Sequence, residues 1–373
     1  MPSTNKKKFD ALTGLRCIAA CMIFLYHNRK YWWAHYPHFL IHIFNEFYLG
    51  VSIFFVLSGF LIAYNYNNVN ISSAGDYFTY LLKRVGRIFP VYWLVLTVYY
   101  LDPKFGNFDF DIFTYSLFHG FSERHNLDAI AQAWSLTVEM TFYFFAPLML
   151  FLINKKLSYV LYFLLALFSV FWGIGQALHH SLLAGFSFLY PFGFLLNSTF
   201  AGQSALFLFG MLLARYVEKQ ELRFVGELTR FKYKTVFGLI GLLAIMLLLT
   251  AFQKNLLDQS NNYTLGKIIQ LTLLPATIIV FIWGLIDERT YISRFLSSKI
   301  MLLLGNASFA FYLVHISYVN MKLKKFVLLP DRNFVLLWLI SIAIYLVYEK
   351  PVYGFIRKVL DKKREISVVG PGL

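Results

Sequence analysis

The stretch Leu12-Thr13-Gly14-Leu15-Arg16-Cys17-Ile18-Ala19-Ala20-Cys21-Met22-Ile23-Phe24-Leu25-Tyr26-His27 decides how the rest of the chain is read. It is apolar enough for a helix in lipid, yet it carries a guanidinium near one end and an imidazole at the other. Lys6, Lys7 and Lys8 precede it, and Ile18-Ala19-Ala20-Cys21 resembles a lipoprotein cleavage site. A secretory signal needs an uninterrupted apolar core, and Asp10 and Arg16 interrupt this one. The stretch therefore reads as an uncleaved first membrane helix.

Similar runs recur along all 373 residues. The chain is 58% hydrophobic and 20% aromatic, and 14% of it is charged, against about 25% in soluble domains. That excludes disorder, a collagen-like repeat, a coiled coil and an ordinary soluble enzyme. The expected fold class is all-α: a polytopic integral membrane bundle of about ten transmembrane helices. The spans fall at 12–28, 45–66, 88–101, 136–153, 157–175, 201–215, 235–252, 266–286, 300–320 and 333–350. The apolar segment 182–199 is broken by Gly185, Pro191 and Gly193. It is open to three readings: an eleventh span, a re-entrant segment or an interfacial one. Residues 1–360 form one membrane domain without solenoid or inverted repeats, and 361–373 a short, poorly ordered cytoplasmic tail.

The net charge of +15 would suggest nucleic acid in a soluble protein. Here the basic residues lie between spans, so no nucleic acid partner is expected. Placing Lys6–Lys8 inside puts most of the 34 Lys and Arg on the same side, which makes both termini cytoplasmic. The one long outside loop, about 102–135, is acidic through Asp102, Asp109, Asp111, Glu123 and Asp128. Cys17 and Cys21, one turn apart, suit packing better than a disulfide or a zinc site.

Ionisable groups within a bilayer are costly and mark candidate functional positions. Arg16 and His27 are eleven residues apart, so they project about 20° from one another and about 16 Å apart along one helix. Alternatively, the Arg snorkels inward and the His sits at the interface. Arg84 and Arg87 open the third span one turn apart, an arrangement suited to phosphate or to simple positive-inside anchoring. Glu139 lies about one turn below the outer surface, where a carboxylate must be paired or protonated. His315 falls in the outer half of the ninth span, as a catalyst or as a hydrogen-bonded packing residue. The depths suggest a phosphate-bearing donor approaching Arg16, Arg84 and Arg87 from inside, and base chemistry among His27, Glu139 and His315 outside.

The remaining candidates are weaker. His35, His38 and His42 lie among Tyr and Trp residues and read as an interfacial belt, so no metal is expected. His119, His125, His179 and His180 read as loop residues. Leu57-Ser58-Gly59-Phe60 lacks the context of a nucleophilic serine and reads as close helix packing.

Taken in order, these pieces resemble the acyltransferase-3 membrane family. The likeness lies in Arg16-x10-His27, Phe54-Phe55-Val56-Leu57-Ser58-Gly59-Phe60 and Arg84-x-x-Arg87-Ile88-x-Pro90-x-Tyr92-Trp93. It continues through Trp134-Ser135-Leu136-x-x-Glu139-x-x-Phe142-Tyr143, Ser308-x-x-x-Tyr312-Leu313-x-His315 and Glu349-x-Pro351. The chain departs from the family at Thr13, often Asp, and at Phe309, often Tyr.

The resemblance implies O-acylation. An acyl group, commonly acetyl, moves from cytoplasmic acyl-CoA to a hydroxyl of a surface or secreted glycan or a lipid-linked sugar. Arg16, Arg84 and Arg87 would hold the CoA phosphates. His27 would act as general base or acyl carrier, with Glu139 orienting it and stabilising its cation. The family's frequent appended esterase-like domain has no counterpart in this sequence. Acceptor handling is therefore expected within the membrane core or in a separate protein. The expected location is the bacterial inner membrane. The competing class is a multi-pass transporter or flippase of a sugar or lipid, since intramembrane Arg, Glu and His suit that role too. The acceptor, the acyl length and the oligomeric state are not legible.

Overall fold

The structure, a computed structural model, describes residues 8–33, 36–66, 73–102, 111–181, 184–219, 232–254, 259–326 and 330–369. Lys6, Lys7, His35, Asp109, most of the basic stretch between Arg215 and Lys234, and the final residues of the expected tail lie outside these ranges. The described residues are helical throughout, apart from turns and one isolated bridge between Ser122 and Phe188.

Among the described residues, seven helical segments are long and apolar enough to cross a bilayer. They are Asp10–His27, His38–Tyr66, Ala131–Lys155, Leu157–His179, Phe192–Glu218, Thr264–Asp287 and Arg332–Lys362. The pair Lys299–Val314 and Tyr318–Lys324 qualifies as an eighth only across a bend of 83°. Lys234–Thr250 is a shorter apolar helix. Tyr162, Leu165 and Phe151 are exposed apolar side chains on the fourth and fifth expected spans, a surface that suits lipid rather than water.

Two compact units divide the chain. The first comprises Met1–Val69 and Gly202–Ser308. Here α1 (Asp10–His27) packs on α2 (Gly50–Tyr66), and α2 meets α6 (Phe200–Lys219). Gly59 of α2 lies against the backbone of Phe207, and Gly210 of α6 against the carbonyl of Val56. A side chain at either glycine would run into main chain, so the helices cross at backbone distance. That is the packing role expected for Ser58-Gly59. The α7 helix (Lys234–Thr250) starts on Glu288. The Glu288 carboxylate accepts the Lys234 and Thr235 amides at 2.6 and 2.9 Å, while Lys234 Nζ reaches Asp287 at 2.6 Å. A carboxylate there satisfies amides that a helix start leaves without intrahelical partners.

The second unit comprises Asn70–Ala201 and Phe309–Leu373. Its α3 (Ala74–Tyr100) is capped by Ser73, whose hydroxyl accepts the Asp76 amide at 3.1 Å. Against it packs α4 (Trp134–Lys155), and α5 (Leu157–His179) packs against α4. The tenth expected span runs through Pro330–Ile344, widens into a π turn at Tyr345–Glu349, and continues as Lys350–Val369. Pro351 offers no amide to the carbonyl four residues earlier, which accounts for widening at that point. Helix thus persists into 361–369, where a poorly ordered tail was expected.

The segment 184–199 is not a continuous span. It consists of a short 3-10 turn, Ala184–Phe186, and a seven-residue helix, Phe192–Ser198. Its middle pairs with the loop before α4: the Leu189 amide donates to Phe121 O at 2.9 Å. Of the three residues expected to break it, Pro191 stands at the break just before the helix, while Gly185 and Gly193 lie within the turn and the helix.

Candidate active site

In the first unit, α1 carries Arg16, half-buried, and His27, exposed and last in the helix. The helix stops here because Asn28 turns back on it. The Asn28 amide and Nδ2 both donate to Phe24 O, at 3.1 and 2.9 Å. Arg29 Nη1 then donates to Tyr26 O at 2.8 Å and sits over the Tyr26 ring, 4.1 Å from its centroid. The Tyr26 ring stands edge-on to His27 at 4.8 Å.

In the second unit, Ser135, Glu139 and Tyr143 follow one another at four-residue steps, which places them on one face of α4. Tyr143 Oη donates to Glu139 Oε1 at 2.6 Å. The Arg84 guanidinium lies 5.8 Å from the rings of both Tyr80 and Tyr143. One turn back, Ser135 Oγ and Tyr312 Oη are 2.6 Å apart. Gln132 Nε2 donates to the Tyr312 and Leu313 carbonyls at 2.9 and 2.7 Å. Those carbonyls are released where α8 (Lys299–Val314) ends at the 83° bend, so a side chain takes the place of the missing helical amides.

His315 occupies this break and is wholly buried. Its Nδ1 donates to Tyr312 O at 2.7 Å, which leaves the lone pair on Nε2. Arg84, Tyr143 and Glu139 thus form one polar group, and Ser135, Tyr312, Gln132 and His315 a second, with Ser135 and Glu139 one turn apart on α4.

Arg84 and Arg87 do not share surroundings. Arg87 pairs with the buried Glu349 at 3.5 Å and faces the Tyr353 ring at 5.6 Å. The sequence places both arginines at the start of a span, but α3 begins ten residues before Arg84. At 1.5 Å per residue that sets Arg84 about 15 Å along the helix. Arg84 thus meets the Tyr143–Glu139 pair instead of lying a layer away from it.

Arg84 and Glu139 share Tyr143 in the second unit, His315 belongs to the Ser135–Tyr312–Gln132 group of the same unit, and Arg87 sits apart with Glu349. Arg16 and His27 belong to the first unit. Tyr143 and Tyr312 were legible as a four-step partner of Glu139 and a three-step partner of His315. Gln132, ahead of its helix, left no periodic signal. Tyr92 and Trp93 tie α3 to the adjacent loop by donating to the carbonyls of Thr114 and Tyr115 at 2.6 and 2.9 Å.

Three of the other histidines have a partner or are deeply buried. His42 Nδ1 lies 2.6 Å from Gln253 Oε1, and His125 Nδ1 lies 2.8 Å from Asp128. His119 is buried in the loop, and burial lowers its pKa below the usual imidazole value. Among the described residues, no group of three His, Cys, Asp or Glu side chains could hold a metal ion.

A family model described as an acyltransferase domain matches residues 9–348. Two Staphylococcus aureus proteins, from strains COL and MSSA476, are each named "Putative O-acetyltransferase". Each is 25% identical over 379 residues, covering 94% of this chain and 57% of the relative. The chain thus spans little more than half the length of these relatives. Nodulation protein 10 of Rhizobium leguminosarum bv. viciae is 31% identical over 180 residues, which are 40% of this chain and 45% of that protein. No solved structure matches. The apolar helices and the family match agree on a multi-pass integral membrane protein. Since the match takes in Arg16, His27, Arg84, Arg87, Glu139 and His315 in one continuous stretch, the chain belongs to the acyltransferase-3 family.

Proposed function

We propose that this protein is a membrane O-acyltransferase of the bacterial inner membrane. It transfers an acyl group, acetyl foremost, from cytoplasmic acyl-CoA to a hydroxyl of a surface or secreted glycan or a lipid-linked sugar. Residues 1–360 form its acyltransferase domain, with about ten spans and both termini cytoplasmic, followed by a tail at 361–373. His27 is the general base or transient acyl carrier. In the first role it takes the acceptor proton as the hydroxyl oxygen attacks the thioester carbonyl and CoA leaves as the thiol. In the second it forms an acyl-imidazole, releases CoA, and passes the acyl group to the hydroxyl. Arg16, Arg84 and Arg87 bind the donor's phosphates, and Glu139 and His315 supply a carboxylate and a second imidazole.

The observation that supports this reading best is the first helix. Family membership brings the Arg16-x10-His27 spacing, and His27 ends its helix exposed. A helix C-terminus stabilises positive charge as it develops on an imidazole.

The test is release of free CoA thiol from labelled acetyl-CoA by the purified protein, supplied with extracted cell-surface glycans. Base-labile label should enter the glycan, and His27→Ala should slow transfer by ~10²–10⁴-fold. Near-wild-type turnover by His27→Ala would sink the assignment. Absence of thiol release from folded protein with acyl-CoAs of several lengths would favour a carrier.

A further inference from the structure

The first unit holds a carboxylate to which the reaction above gives no task. Glu46, between His38–Asn45 and α2, is completely buried. Its oxygens accept from Gln253 Nε2 at 2.6 Å, from Ser260 Oγ at 2.7 Å and from the Ser260 amide at 3.2 Å. A carboxylate cut off from water needs such donors; these three come from the connection that follows α7, and the Tyr48 hydroxyl adds another.

That same connection reaches the end of α1. Gln259, next to Ser260, donates through Nε2 to Tyr26 Oη. Ser260 Oγ also lies 3.2 Å from Tyr48 Oη. The Tyr48 ring stands edge-on to Tyr26 at 5.8 Å, and Tyr26 stands edge-on to His27 at 4.8 Å. A continuous set of bonds and ring contacts therefore runs from Glu46, through residues 259 and 260, to the face of the His27 imidazole. His27 is exposed at a helix end, and Tyr26 is among the groups that touch it.

We propose that Glu46 is a positioning residue. It anchors Gln259 and Ser260 so that Tyr26 holds the His27 ring in its reactive orientation. This rests on His27 being the base or acyl carrier. Glu46→Gln replaces one acceptor oxygen by an amide that faces donors. Tyr26→Phe leaves every Glu46 bond and the ring itself in place, and removes only the hydroxyl that Gln259 holds.

The experiment compares the full-length wild type, Glu46→Gln, Tyr26→Phe and His27→Ala, all purified in one detergent. Two readouts are taken. One is kcat and donor KM for acetyl-CoA with the glycan extract. The other is the rate at which diethyl pyrocarbonate modifies His27 in the absence of substrate, followed by mass spectrometry. Both positioning variants should lower kcat, by up to ~100-fold for a displaced catalytic group, with donor KM unchanged. Both should also alter the rate of His27 modification. If Glu46→Gln fails to fold, Tyr26→Phe decides alone. Wild-type kcat and modification rate in Tyr26→Phe, beside an inactive His27→Ala, would overturn the inference and leave the assignment of His27 standing. An active His27→Ala would overturn both.

Discussion

Arg87 shows how a structural partner can confuse a simple mutation. The sequence offers it as a phosphate ligand or as positive-inside anchoring, one turn from Arg84. Its ion pair with Glu349 was not legible, because 262 residues separate them and no local pattern connects them. Glu349 is 2% exposed, so Arg87→Ala would leave a buried carboxylate without its cation. Breaking a buried pair from one side costs about 3–5 kcal/mol, and partial exposure of Arg87 brings the expected loss to the lower end. We therefore expect Arg87→Ala to lower the thermal midpoint and also to weaken acetyl-CoA binding. Adding Glu349→Gln to Arg87→Ala should recover much of the midpoint while donor KM stays raised. Thermal unfolding and donor titration of the single and double variants check this. Recovery of both properties would make Arg87 a structural partner of Glu349 and not a phosphate ligand.

At the scale of elements, apolar periodicity placed the expected segments largely on helices, seven of which among the described residues are long and apolar enough to cross a bilayer, because a span must be long and apolar whatever it packs against. Breaks were harder to see. The 83° bend at His315 has no proline or glycine at the break itself. It is held by Gln132 from another segment, a tertiary cause that no local rule contains. The start of α3 was missed for the opposite reason: residues 74–87 are too polar to count as a span, yet Ser73 caps them as helix. Helix crossings were legible only at small residues, and there the environment decides the sign of a mutation. Gly59 touches the Phe207 backbone, while nothing lies within 4 Å of a Cβ built on Gly173 in α5. Gly59→Val should destabilise by about 3 kcal/mol or more, since backbone cannot move aside as a side chain can. Gly173→Ala should stabilise by about 0.5–1 kcal/mol through helix propensity alone. Thermal midpoints of the two variants in the same detergent check the contrast. Equal effects would mean that the α2–α6 crossing is looser than described.

For the whole molecule, the open quantity is sidedness, which composition suggests and helix length makes testable. A helix of the 22 residues Trp134–Lys155 is about 33 Å long, enough to put its two ends on opposite sides of the hydrocarbon core. Lys155 and Lys156 mark one end as cytoplasmic by the positive-inside rule, and the loop containing Glu123 then lies outside. Both Glu123 and Lys156 are exposed, so a cysteine at either position would meet reagent from water. The native thiols form no disulfide, with Cys17 buried and Cys21 partly so, and a background lacking both removes their signal. In intact cells a membrane-impermeant maleimide should label Glu123→Cys and spare Lys156→Cys until the membrane is opened. The reverse pattern would invert the bundle and put His27 on the side of the donor. Labelling of both positions in intact cells would mean that α4 does not cross at all. Because donor and acceptor are proposed to arrive from opposite faces, the expected pattern is a precondition for transfer across the membrane.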